Sequence, residues 1–257
     1  MKPEFPDPTT IETALGLAVR APSIHNSQPW RWRVDPTVGV HLHADPRRRL
    51  PAIDPTGRDL LISCGTALHH AVVAFAALGW RATVHRLPDP GDPDHLATLT
   101  LCRCAIDQVD VALAAAVPRR RTDRRLYSSW PVAAGDIALM AARAARSGVM
   151  LRQLESLGTL RELVAQAVQQ HLADNDYLTE LTTWSGNYGS SAGVPARNTP
   201  IPDPAAPLPG RLFAGPALAH PPGALATEDN SVLLALGTET DDRLAWLRSG
   251  EATSVVL

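Results

Sequence analysis

Lysine is almost missing from this chain. Lys2 is the only one, so 23 of the 24 basic residues are arginine. Any anion site must therefore be built from guanidinium groups, whose planar fork suits phosphate. Alongside the abundant Ala and Pro, the bias reads as coding composition rather than as a functional signal. Cysteine is also scarce: Cys64, Cys102 and Cys104 do not make a disulfide framework. No apolar run reaches the ~18 residues that a bilayer span needs; Ala71 to Trp80 is too short and starts directly after His69 and His70. The N-terminus, MKPEFPDPTT, carries two acids and three prolines where a signal peptide needs an apolar core. These absences point to a soluble chain in a reducing, cytoplasmic setting, with no membrane partner. The motifs GxSxG, HExxH, GxGxxG and the P-loop are missing too, which removes the main support for hydrolase, zincin, Rossmann and P-loop readings. A net charge of −2 removes the global-charge argument for a nucleic-acid binder.

What is there is a sizeable core: 257 residues, 45% hydrophobic and 19% charged, enough for one large domain or two small ones. Ile11 to Arg20 reads as a helix with Thr9 or Thr10 as N-cap and Pro22 ending it. WRWRV and VGVHLHA alternate as strands and can pair as a hairpin across Asp35-Pro36-Thr37. Arg58 to Gly79 reads as a buried core helix, followed by strands ATVHRL and HLATLTLCR. A second round has helices over Asp107–Val117, Ala133–Ser147 and Thr159–Leu181, with VMLRQL as a strand between the last two. SVLLALG is a further strand, and a helix starts from Asp241. Between them Gly186–Pro222, rich in Gly, Pro, Ser and Ala, is too long for an ordinary connection and reads as a lid-like excursion.

Two stretches of the chain resemble each other. ISCGTALHHAVV (Ile62 to Val73) matches LRSGEATSVVL (Leu247 to Leu257), with Gly65 against Gly250 and Ala67 against Ala252. Chance recurrence of a small-residue helix start is the competing reading. In the first copy 38 residues run from Gly65 to Arg103; the second stops 7 residues after Gly250, so a real repeat implies a truncated second copy.

Two segments carry candidate chemistry. In RAPSIHNSQPW (Arg20 to Trp30), Ser23, Asn26 and Gln28 offer groups that both donate and accept hydrogen bonds, as the rim of a flavin or a nucleobase requires. An ordinary capped turn, with Asn and Ser satisfying backbone groups, is the reading that composition alone favours. In RRRTDRR (Arg119 to Arg125), five arginines surround Thr122 and can hold a phosphate; a solvated basic turn or a nucleic-acid patch are the alternatives. Tyr127 and Trp130 are the only nearby aromatics, which weighs against nucleic acid.

Taken together the two segments resemble those of nitroreductase-family flavoproteins: APSxxNxQPW after the first helix, and Arg-x-Ser/Thr-x-Arg/Lys for the phosphate. Ordinary members carry the Arg motif first and bind flavin at a homodimer interface. The inverted order here, with DPTGRDLLISCGTAL and LRSGEATSVVL, resembles the Acg-type branch of NAD(P)H nitroreductases, in which two nitroreductase-like halves are fused. The resemblance covers nearly the whole chain. It implies an α+β fold with a mixed, mainly antiparallel sheet packed with helices. It implies two fused half-domains, 1–106 and 107–257, the second C-terminally incomplete, in a pseudo-dimeric monomer with one flavin. It implies Arg120 and Thr122 on the FMN phosphate, and Arg124 toward the pyrimidine end of the ring, where positive charge favours the reduced flavin. Pro22, Ser23 and Asn26 would line the ring and ribityl chain, with Gln28 behind them. A further C-terminal basic residue usual in the family has no counterpart in this chain.

The implied activity is FMN-dependent transfer of electrons from NAD(P)H to a nitroaromatic or quinone-like small molecule, with no protein acid or base assigned. The alternative is a catalytically silent FMN-sequestering protein whose lid closes the site, and a third is an unstable fragment holding no cofactor. A metal site is not expected. His69 and His70 face about 100° apart on a helix, and Cys102 and Cys104 lack a second pair and read as buried core thiols. His41 and His43 share a strand face and read as surface or packing residues.

Overall fold

The computed structural model describes residues 4–187, 191–202, 208, 210–220 and 230–257. Helix α1 (Pro8–Ala18) starts at Asp7, whose carboxylate accepts from the backbone N–H of Thr10, with Pro8 in the first turn where its missing N–H costs nothing. The cap is thus Asp7, two or three residues before the expected Thr9 or Thr10. Ile11, Ala14 and Ala18 form the buried stripe.

Strands β1 (Trp30–Asp35) and β2 (Gly39–Ala44) form the expected hairpin, Trp30 opposite Ala44. Strands β3 (Trp80–Arg86) and β4 (His95–Arg103) pair antiparallel, and the four make one sheet in the order β1-β2-β4-β3. Val40, Leu42 and Ala44 of β2 and Leu99 and Leu101 of β4 turn inward onto α1 and α2. That alternation puts Cys102 on the outward side, so Cys102 is exposed and Cys104, beyond the strand end, is half-buried rather than in the core. On the same outer side His41 stands 3.1 Å from both His95 and Thr98.

Helix α2 (Arg58–Ala77) is the axis of the molecule, buried on almost every side. Among the described residues it alone is long and apolar enough to cross a membrane, and 72% of that stretch is buried inside the fold. Helix α7 (Arg243–Val256), capped by Asp242, lies across it. The crossing is possible because it occurs at glycines. A Cβ on Gly65 would sit 2.1 Å from the Leu247 carbonyl oxygen, and one on Gly250 would sit 2.0 Å from that of Ile62. Bidentate pairing of Arg86 with the buried Glu251 (2.9 and 2.8 Å) ties α7 to β3 as well.

The remainder is more loosely built. Helices α3 (Gln108–Ala116) and α4 (Ala134–Ala145) precede β5 (Met150–Gln153), which pairs antiparallel with β8 (Leu234–Gly237). Between these strands run α5 (Gly158–Leu172) and α6 (Asn175–Trp184), then β6 (Ser185–Asn187) and β7 (Val194–Pro195). The expected single helix over Thr159–Leu181 is broken at Ala173-Asp174, because the Asp174 carboxylate accepts from the N–H groups of Asp176 and Tyr177 and starts a new helix. Ala144, Val149, Leu151 and Ala252 form a second, small core. The fold is α+β, with mixed helices and antiparallel sheet.

Candidate functional site

The segment after α1 is folded against its own preference. His25, Asn26 and Gln28 all take positive φ (45°, 53° and 52°), a region that costs a non-glycine residue about 1–2 kcal/mol. Leu87 is the only other non-glycine case among the described residues. The strain is held by bonds from below and within. The Ile24 N–H donates to Ser63 Oγ (3.0 Å) and Thr66 Oγ1 donates to the Pro22 carbonyl (2.9 Å), both from α2. Inside the loop the Gln28 N–H donates to Ser23 Oγ (2.9 Å), and Arg48 holds the Ser27 carbonyl at 2.7 Å. Strained backbone fixed this firmly is characteristic of a ligand-facing loop.

This loop forms one wall of a cleft of about 940 Å³, within the range of small-molecule and cofactor sites. The floor is the arginine segment after α3, and the third wall is residues 191–198 with 217–219. Pro22, Ser23, Asn26, Gln28, Arg120, Thr122 and Arg124 all line it, although about 100 residues of chain separate the two groups. Three sets of hydrogen bonds close the ring of segments. Arg120 Nη2 donates to the Arg20 carbonyl (3.2 Å), joining floor to first wall. Arg124 Nη1 donates to the Asn198 carbonyl (3.4 Å), joining floor to third wall. Asn26 Nδ2 donates to the Gly193 carbonyl (3.1 Å), the Gly193 N–H donates back to the Asn26 carbonyl (3.2 Å), and Gln28 Nε2 donates to the Ser191 carbonyl (2.8 Å).

The electrostatics of the floor are those of an anion site. Arg120 Nη1 lies 3.2 Å from Thr122 Oγ1, so the guanidinium and hydroxyl stand side by side. Its Nε is buried with no partner. Burial, and next to it the positive charges of Arg121 and Arg20, push Arg120 below its ordinary value. Arg124 is lowered by burial and by Arg211, and its guanidinium lies 5.1 Å from the centre of the Phe213 ring. His25 is buried behind the loop with its ring edge-on to Phe213 at 5.6 Å. Burial first, then Arg211 and Arg124, lower it to about 4, which leaves it neutral at pH 7.

The third wall is what reasoning from sequence missed. Gly186–Pro222 was expected only as a cover; its described residues are a structural side of the cleft, while 188–190, 203–207, 209 and 221–222 lie outside the described residues. One signal was available: Arg197 is the only charged residue between Gly186 and Ile201. The histidines noted in the sequence do other work. His69 Nδ1 meets Ser254 Oγ of α7 at 2.8 Å and His70 Nδ1 meets the Thr66 carbonyl at 2.8 Å. Among the described residues no group of three or more His, Cys, Asp or Glu side chains is arranged to hold a metal ion.

No protein-family model matches the chain. Individual proteins of Mycobacterium tuberculosis (strain ATCC 25618 / H37Rv) do. Over 257 residues it is 63% identical to "Putative NAD(P)H nitroreductase Rv3131", covering all of this chain and 74% of that protein. Over 266 residues it is 35% identical to "Putative NAD(P)H nitroreductase acg", covering 96% of this chain and 75% of that one. Over 264 residues it is 34% identical to "Uncharacterized protein Rv3127", covering 96% and 74%.

Proposed function

The chain belongs to the nitroreductase family, in its Acg-type branch, and from that premise we propose an FMN-dependent oxidoreductase that takes electrons from NAD(P)H and delivers them to a nitroaromatic or quinone-like small molecule. The observation that carries this reading is the convergence of the 22–28 loop and the 120–124 segment on one cleft. The donor set fits a flavin mononucleotide. Arg120, with a buried Nε lacking a partner, and the Thr122 hydroxyl beside it suit a phosphate. Ser23 and Asn26 on the strained wall suit the mixed donors and acceptors of the ring and ribityl chain, with Pro22 as an apolar neighbour.

When bound, the flavin supplies the hydride and electron chemistry. The protein's part is to hold, tune and restrict. Arg120 and Thr122 anchor the phosphate, and Arg124 supplies positive charge toward the pyrimidine end. Gln28, committed to Ser191, holds the first wall against the third and acts behind the ligand rather than on it. Residues 191–198 narrow access on one side.

The reading includes two fused halves, 1–106 and 107–257, with one flavin between them and a cytoplasmic setting. What supports the fusion is the reciprocity at the helix crossing. Gly65 meets Leu247 and Gly250 meets Ile62, and these four residues are equivalent pairs in the sequence repeat. Such exchange of equivalent contacts is what a two-fold axis produces. The order α4-β5-β8-α7 likewise follows α1-β1-β2-α2, with antiparallel strands in each.

A second reading has its own observation. Asn26 and Gln28, two of the cleft's amides, are spent holding the third wall in place; a wall bound so directly suits a protein that stores FMN without turning over. The test is a visible spectrum of the chain incubated with FMN, repeated anaerobically with NADPH. A flavin band that bleaches supports the oxidoreductase. A band that persists with NADPH yet bleaches with dithionite supports storage. No band overturns both. Arg120→Ala is expected to weaken FMN uptake at least about tenfold, as loss of a charge-assisted pair should.

A further inference from the structure

A histidine cluster on the outer face of the four-stranded sheet lies apart from the cleft and owes nothing to the flavin reading. It is assembled by an irregularity in the ladder. His41 of β2 pairs with Thr98 of β4 and Leu42 with Ala97, but His43 pairs with His95, so β4 carries one residue more than β2 at this point. Strict alternation from the outward Thr98 would turn Leu96 out and His95 in. The bulge instead buries Leu96 and Ala97 together and brings His95 out beside His41. Bulges that re-aim a side chain in this way are over-represented next to functional sites.

The result is a triangle of donor atoms. His41 Nδ1 lies 3.1 Å from His95 Nε2 and 3.1 Å from Thr98 Oγ1, and those two are 3.0 Å apart. An imidazole nitrogen has one in-plane direction, holding either a lone pair or an N–H. Each of these nitrogens nevertheless has two partners within 3.1 Å, so no placement of protons makes all three edges good hydrogen bonds. A cation on the axis of the triangle takes one lone pair from each corner. At about 2.1 Å from all three atoms it would meet them at angles of about 90–95°, those of an octahedral or square site rather than a tetrahedral one. His41 and Thr98 are buried, which fixes two corners, and His95 is half-buried on the open side. The His43 ring stacks on that of His95 at 4.5 Å and 14°, and its Nδ1 stands 3.7 Å from Asp92, which holds the third corner. Burial, then Arg33 and His95, push His41 below its ordinary value, so the ring is neutral at pH 7. The charges around the cluster balance: Arg33 and Arg31 stand opposite His41 and His43 on β1, and Asp35 and Asp92 answer them.

We propose that His41, His95 and Thr98 form a site for a divalent transition-metal ion that favours imidazole, Ni²⁺ or Cu²⁺ ahead of Zn²⁺, with water in the remaining positions. His43 is a positioning residue, acting through the His95 ring. The site is distinct from a set of three or more His, Cys, Asp or Glu ligands, none of which is arranged for a metal among the described residues, because a hydroxyl supplies its third corner. Mg²⁺ and Ca²⁺, which take oxygen ligands, should not compete for it.

The test is a calorimetric titration of the untagged full chain with Ni²⁺. One equivalent should bind with a Kd of about 10 µM or tighter, unchanged by excess Mg²⁺. His41→Ala and His95→Ala should each weaken binding at least about tenfold and Thr98→Val about threefold, while His171→Ala, on α5 and stacked on Tyr177, should leave it unchanged. Paramagnetic broadening by Ni²⁺ in amide NMR spectra of the wild type locates the ion without any variant, and should centre on residues 41–43 and 95–98. No binding by the wild type, broadening centred elsewhere, or affinity that survives both His41→Ala and His95→Ala overturns the proposal. None of these outcomes bears on FMN uptake, so the flavin reading stands or falls by its own test.

Discussion

Residues 1–106 and 107–257 are built to different standards. The first region contributes 21 residues to a contiguous buried core around α2, including Trp80, Phe75 and fully covered aliphatic side chains such as Leu42, Leu61, Leu68, Leu96 and Leu99. The second has a separate core of four; α5 buries no residue and α4 one. Of the 16 large hydrophobic side chains exposed among the described residues, 12 lie in the second region. Stability is therefore concentrated in the first region, and the second depends on α7, whose Leu247 is buried in the first region's core rather than in its own. Yet the arginines that define the cleft are mostly in the second. The cleft's chemistry is carried by the thinly packed part of the molecule and held in place by the dense part, the usual disposition of binding segments around a rigid scaffold.

The comparison can be broken most sharply at the helix crossing. Gly250→Ala puts a methyl group into the Ile62 carbonyl, and backbone cannot move aside as a side chain can. We expect a loss of about 3 kcal/mol or more in urea unfolding, and a double variant with Gly65→Ala that loses less than the sum, since the helices part only once. Additive losses would mean that the two glycines do not share one contact. Next in size, Leu247→Ala should cost about 2–3 kcal/mol and Leu151→Ala, in the small core, about 1 kcal/mol. Equal losses would erase the distinction between the regions.

Acid sharpens the comparison. His25 and His69 are each lowered to about 4, by burial first. Both fold as neutral rings, so their contribution is complete above the unfolded value near 6.5 and is lost as pH falls from there toward 4. At pH 5.5 each should cost about 1 kcal/mol. His69→Gln is expected to flatten the pH dependence of unfolding between 6.5 and 4; an unchanged slope would remove the ring at the α2–α7 junction from the account. The smallest effect belongs to the surface. Arg103 and Glu4 pair at 3.0 Å but are both exposed, and Arg103→Ala should shift stability by less than about 0.5 kcal/mol.

The elements with a strong period were legible before the structure. The β1–β2 hairpin, α2 and the β3–β4 pair stand where alternation and apolar content put them, because each buries a face that the sequence marks. Errors arose where a polar group made a local decision. Asp174 divides one expected helix into two by capping the second, and Asp7 moves the start of α1 upstream of the threonines. Cys102 was misplaced because small apolar residues on a strand carry no mark of which face they take until Leu99 and Leu101 occupy the inner one. The seven candidate site residues were named from two motifs; that they meet in one cleft is a fact of packing.

The sequence by itself determined the family, the composition of an arginine-only anion site, the α+β pattern and the pair of glycines at equivalent places in a repeat. Each is a local or composition-level property, readable from residue type and spacing. Tertiary structure alone decided that those glycines face one another, that three segments separated by scores of residues close into one ring, and that six arginines from those segments line one cleft. Long-range contact depends on how faces are buried against each other, and a side chain's partners in the fold are not inscribed in its neighbours along the chain.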